Sequence, residues 1–111
     1  MTMEPKIKLM HVVSGIALAG TEYNVVKLVN RLDRNHFIAS IAALEIAMAG
    51  AKHHVADDVE IFEFSKAPGF QPKLILQLAE LFRRQRVDVV HSHNWATFLY
   101  AVQAARLASV P

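Results

Sequence analysis

"VVSGIALAGTEYNVVKLVN", Val12 to Asn30, is the stretch whose reading decides the fold. Two valines close an apolar run, small residues follow, and Val25, Leu28, Val29 and Leu32 then recur at i, i+3, i+4 and i+7. A short run without polar alternation reads as a strand buried on both faces, and the second spacing reads as one face of a helix. Strand, tight loop and helix in succession form the first half of a parallel crossover. Thr21 stands where an N-cap is expected. Gly15 and Gly20 leave two readings of the loop open. They keep side chains away from a phosphate at the helix N-terminus, or they only allow a tight turn.

The same alternation continues outward. "IKLMHVV", Ile7 to Val13, is the first strand, and "FIASIAAL", Phe37 to Leu44, is a second of similar character. Glu45 to Asp58 predicts a short helix, weakened by Gly50, His53, His54 and paired aspartates. "VEIFEF", Val59 to Phe64, alternates apolar and acidic residues as a half-exposed edge strand does. After the loop "SKAPGFQP", Ser65 to Pro72, a helix is predicted from about Lys73 to Arg86, burying Leu74, Leu78, Leu81 and Phe82. "VDVVHSH", Val87 to His93, is the last strand, and Asn94 caps a helix running to Leu107 that presents Phe98, Leu99, Val102 and Ala105.

Strands separated by helices require right-handed crossovers and a mostly parallel sheet. The expected fold is an α/β, Rossmann-like, three-layer half-domain: about four strands in the order 3-2-1-4, with helices on both faces. In such sheets ligands bind outside the carboxyl ends of the strands where strand order reverses, here between the first and fourth strands. The glycine loop and "HSHNW", His91 to Trp95, converge there. A crossover ending near Pro111 ordinarily delivers another strand, so residues 1–111 are expected to be part of a larger domain.

Composition narrows the function classes. The 111 residues are 53% hydrophobic and 20% charged, the profile of a folded globular chain. Twelve basic against ten acidic residues give a net charge of +2, which lacks the electrostatic footprint of a nucleic-acid binder. The basic cluster Arg83, Arg84 and Arg86 complements a helix C-terminus, an anionic headgroup being the other reading. Absence of cysteine removes disulfides and thiolate metal sites and suits a reducing cytoplasm. Lys6 and Lys8 before an apolar stretch ending in Ala17–Ala19 imitate a secretory signal, but His11, Ser14 and Gly15 interrupt it.

The loop has no third glycine for a dinucleotide fingerprint and no Gly-Lys-Ser/Thr for a Walker loop. Glu22 in the first helical turn suits the helix dipole, yet it repels phosphate unless its carboxylate points aside. His91 and His93, two apart on a strand end, face one side. They are two zinc-type ligands short of a third, since His11, His53 and His54 have no fixed relation to them in the sequence, and no metal is expected. His11 and His91 read as partly buried, satisfied strand histidines, whereas His93, last at the crevice, is the functional candidate. Trp95, near Phe98 and Tyr100, reads as core packing before it reads as a sugar-stacking platform. No serine stands in a Gly-x-Ser-x-Gly elbow.

"KIKLMHVVSGIALAGTEYNVVKLVNRLDRNHF", Lys6 to Phe37, resembles the opening of family 4 glycosyltransferases of the GT-B fold, with its Gly-Gly-Thr/Ala-Glu loop. "RVDVVHSHNWATFLYAVQAARLASVP", Arg86 to Pro111, is similar to that family's Asp-Val-Val-His-x-His segment. The resemblance implies the N-terminal, acceptor-side domain of a retaining, metal-independent enzyme that moves a sugar from a nucleotide-sugar to a glycan or lipid-linked acceptor. It implies that Gly20 approaches the donor diphosphate through its backbone, with Thr21 and Glu22 in the same loop, and that His93, followed by Asn94, contacts the transferred sugar. Ala19 replaces the first glycine of the family pair. The family's paired glutamates and diphosphate-neutralising basic residues belong to a C-terminal donor-binding domain that 1–111 do not include, so these residues alone are expected to be inactive. The full-length enzyme is expected in the cytoplasm, at or near the inner face of the membrane. A stand-alone Rossmann-like binding or assembly module, pairing as a homo-oligomer through its sheet edge, is the non-enzymatic alternative. A flavodoxin-like regulator lacks an identifiable ribose-binding partner.

Overall fold

A computed structural model describes residues 6–15, 20–45, 51–66 and 69–110; at 20–22 and 51 it describes the backbone alone. The elements are β1 (Ile7–Val13), α1 (Gly20–Arg31), β2 (Phe37–Ala43), β3 (Glu60–Glu63), α2 (Pro72–Arg84), β4 (Val89–Ser92) and α3 (Trp95–Leu107). The four strands form one parallel sheet in the order β3-β2-β1-β4. This is the expected Rossmann-like α/β arrangement.

Strand periodicity divides the core between the two faces. Met10, Val12 and Ala42 point to the side covered by α2, through Leu74, Ile75, Leu78, Leu81 and Phe82, and by α3, through Tyr100, Ala101 and Ala104. Val13, Ile41 and Ala43 point to the other side, under Val25, Val26 and Val29 of α1. Alternate residues thus build two cores from one strand, and neither face of β1 can tolerate a polar run. β4 starts where the Lys8 N–H donates to Asp88 Oδ2 at 2.8 Å and the Asp88 N–H donates to the Lys8 carbonyl at 2.9 Å.

Several local expectations are corrected. α1 begins at Gly20, so Thr21 lies inside its first turn and is not its cap. Leu28 is exposed, because Val26 takes its place on the buried stripe. Within Glu45–Asp58 the helix among the described residues is a 3-10 turn, Ala51–His54, followed by turns. There the Asn30 amide holds the backbone in place of a helical ladder, donating to the His54 carbonyl at 2.7 Å and accepting from the Ala56 N–H at 2.8 Å. Residues 46–50 of that predicted helix lie outside the described residues.

α2 runs Pro72–Arg84 rather than Lys73–Arg86, with proline at the start, where its missing N–H is harmless. α3 buries Thr97, Tyr100, Ala101 and Ala104; of the predicted residues Ala105 packs partly buried against the core and Val102 is half-buried, while Phe98 and Leu99 are exposed. The small Ala101 and Ala104 let α3 approach α2, and the Tyr100 hydroxyl accepts from the Gln71 N–H at 3.0 Å, just ahead of α2. Trp95 is 73% exposed and therefore no part of the core. Among the described residues no helix is long and apolar enough to cross a membrane.

Candidate functional site

From β1 the chain moves to β2 on one side and later returns to place β4 on the other, so strand order reverses between β1 and β4. The carboxyl ends of these two strands and the loops after them flank that crevice. A backbone bond holds them close, the His93 N–H donating to the Val12 carbonyl at 3.3 Å, and the Glu45 N–H beyond β2 donates to the Ser14 carbonyl at 2.7 Å. Side chains join the two loops directly, since the Asn94 amide Nδ2 donates to Ser14 Oγ at 3.0 Å.

Asn94 also starts α3. Its Oδ1 accepts from the Thr97 N–H at 2.9 Å, while its own N–H donates to Thr97 Oγ1 at 3.2 Å, a reciprocal capping box. The cap predicted from the sequence is therefore present, and one side chain both terminates a helix and ties two loops together. Gly20, Thr21 and Glu22 form the first turn of α1, where the leading backbone N–H groups have no intrahelical partner. Residues 16–19 of the glycine loop, including Ala19, lie outside the described residues.

His93 does not stand alone. β1 and β4 pair with His11 opposite His91, and strand alternation then turns His11, His91 and His93 to the same face. His11 Nδ1 and His93 Nε2 share a hydrogen bond of 2.7 Å. The ring centroids are 5.3 Å apart for His11 and His91, 4.9 Å for His11 and His93, and 4.1 Å for the stacked His91 and His93. One nitrogen from each ring lies within 4.8 Å of the others. His11 is buried, His93 half-buried and His91 exposed. Burial, reinforced by the neighbouring His93 and His91 imidazoles, lowers the His11 pKa to about 4, so the imidazole is neutral at physiological pH.

His11 is thus the satisfied strand histidine that its position implied, but its lack of relation to the other two is corrected. The legible part of the signal was the strand order, which makes β1 and β4 parallel neighbours. What the sequence withheld was the register.

A shallow, open depression of about 320 Å³ lies at the end of β4 on the His93 side of the triad, lined by Ser92, His93, Asn94, Trp95 and Phe98. Trp95 and Phe98 stack at 5.5 Å with an interplanar angle of 20°, both exposed. They present a flat apolar surface next to the polar groups of His93 and Asn94, a combination suited to a ring with an apolar face and hydroxyl edges. Tyr100, read together with these two in the sequence, belongs instead to the core and stacks on Phe70 at 5.5 Å.

The family model described as Glycosyltransferase Family 4 matches residues 18–111. No curated protein and no solved structure matches the chain significantly.

Proposed function

The chain belongs to glycosyltransferase family 4, and from that premise we propose that it is the acceptor-side, N-terminal Rossmann-like domain of a retaining GT-B enzyme. That enzyme transfers a sugar from a nucleotide-sugar to a glycan or lipid-linked acceptor. The observation that carries this reading is the junction of the two loops at the strand-order switch, where Asn94 bonds Ser14 and His93 bonds His11.

In this reading the amides at the start of α1, beginning with Gly20, face the donor diphosphate, with Thr21 and Glu22 in the same turn. Preorganised N–H groups at a helix N-terminus stabilise anionic charge without reorganising. His93 donates or accepts a hydrogen bond at the transferred sugar, held in orientation by His11. Trp95 and Phe98 carry the apolar face of a sugar ring. Transfer itself requires no metal, and the departing diphosphate is neutralised by a donor-binding domain outside these 111 residues, which by themselves do not turn over. The enzyme acts in the cytoplasm.

The test is release of nucleoside diphosphate by the full-length protein supplied with a panel of nucleotide-sugars. Gly20→Val and His93→Ala are each expected to lower kcat/KM by about 10²- to 10³-fold, the range seen when a single preorganised donor is removed. Wild-type turnover in both variants overturns the assignment. The assembly-module reading has one observation in its favour: β4 lies at the sheet edge, bonded among the described residues to β1 alone.

A further inference from the structure

We propose that His11, His91 and His93 form a binding site for a borderline divalent cation, Zn²⁺ being the ion that best suits three imidazoles. The ligand types come first. Imidazole nitrogen is a preferred zinc donor, and three of them with an open fourth position form a recognised zinc coordination set.

Geometry comes next. A tetrahedral zinc with Zn–N bonds of 2.0–2.1 Å holds its nitrogens about 3.3 Å apart. Here one nitrogen per ring lies within 4.8 Å of the other two. The outer separation must therefore close by about 1.5 Å. The His11–His93 pair, at 2.7 Å, must open by about 0.6 Å. Both adjustments are side-chain rotations, and the exposed His91 has room to make the larger one. Because His11 and His91 sit on paired residues of two parallel strands and His93 is two residues further on, the backbone already fixes all three on one face.

Access follows from the covering of the sheet. α2 and α3 lie on the face opposite the triad, and α1 covers β1 and β2 on the triad's own face. Val89 and His91, which share that face on β4, are exposed, and the open side gives a cation and its fourth ligand a way in. No covalent step is involved. The proton shared between His11 Nδ1 and His93 Nε2 moves to the other nitrogen of the ring that carries it, and both rings bind as neutral imidazoles. If His93 also contacts the donor sugar as proposed above, ion and sugar compete for it; the binding proposal itself does not depend on that reading.

The experiment is calorimetric titration of the chelator-treated protein with ZnCl₂, with no nucleotide or sugar present. One equivalent is expected to bind, and His91→Ala, at an exposed position that the fold tolerates, is expected to weaken binding by about 10-fold or more. His53→Ala, far along the chain on the 3-10 turn, is expected to leave binding unchanged. Side-chain NMR shifts on adding Zn²⁺ should fall on His11, His91 and His93. No saturable binding, or binding that His91→Ala leaves intact, overturns the proposal and leaves the triad a neutral hydrogen-bonded stack. Neither result bears on transferase activity, which is read with sugar donors and no added metal.

Discussion

A buried imidazole with a folded-state pKa near 4 makes the stability of this protein depend on pH at one residue. The unfolded chain protonates His11 near its ordinary value of about 6.5, so between there and 4 the unfolded state binds the extra proton. Stability from neutral His11 is complete above pH 6.5 and is lost as pH falls toward 4, up to an amount on the order of 3 kcal/mol. Urea unfolding of chelator-treated protein at pH 7.5 and 4.5 measures this. His11→Phe should flatten the difference between the two pH values; an equal loss in both proteins would place the acid sensitivity elsewhere. At this scale the sequence was informative about single residues and poor about partners. His93 and Asn94 stood out because ligands in such sheets bind outside the strand ends at a switch point. The partnership of His11 with His93, 82 positions apart, depends on strand register, which no local pattern encodes.

The helices end in a form that suggests a direct gain in stability. After α2 the Val87 N–H donates to the Phe82 carbonyl at 3.1 Å and the Arg86 N–H to the Arg83 carbonyl at 3.1 Å. That is a Schellman ending, and it places Arg86 at φ 52°, a left-handed conformation in which glycine is favoured. Arg86 is exposed, so Arg86→Gly should raise stability by about 0.5–1 kcal/mol. Gln85→Gly, one residue earlier at φ −85°, should lower it or leave it unchanged. Thermal melts of the two variants separate the conformational effect from loss of a side chain. α3 ends the same way, with Ser109 at φ 60°. One start signal was legible, Asn94 as the cap of α3, whereas Pro72 read as the end of a loop and Thr21 as a cap that α1 does not use. The inward face of α3 was not legible, because Trp95, Phe98, Leu99, Tyr100 and Val102 leave no single apolar stripe, and only packing on α2 selects Tyr100, Ala101 and Ala104.

As a whole the molecule is lopsided in what it covers. Alternating strands and helices made the sheet order and the placement of helices on both faces readable from sequence, since crossover handedness leaves few choices. Parallel sheets are normally shielded on both faces, yet Val89 and His91 of β4 are exposed. Beside them, on the opposite face, an apolar groove of about 270 Å³ lies between β4 and α3, lined by Val90, Phe98, Ala101, Val102, Ala105 and Val110 among others. An edge strand with free backbone groups and apolar neighbours is a template for pairing. The 111-residue chain in isolation should therefore show a mass that rises with concentration in sedimentation equilibrium. Val89→Lys, which sets a charge on the exposed edge without touching the buried core, should return it to a monomer. A mass independent of concentration in the parent chain would mean that four residues of edge are too short to pair. A rising mass unaffected by Val89→Lys would move the contact to the stacked Trp95 and Phe98, which line the surface proposed above to hold a sugar ring. Sugar donors would then compete with self-association, and adding them would lower the mass.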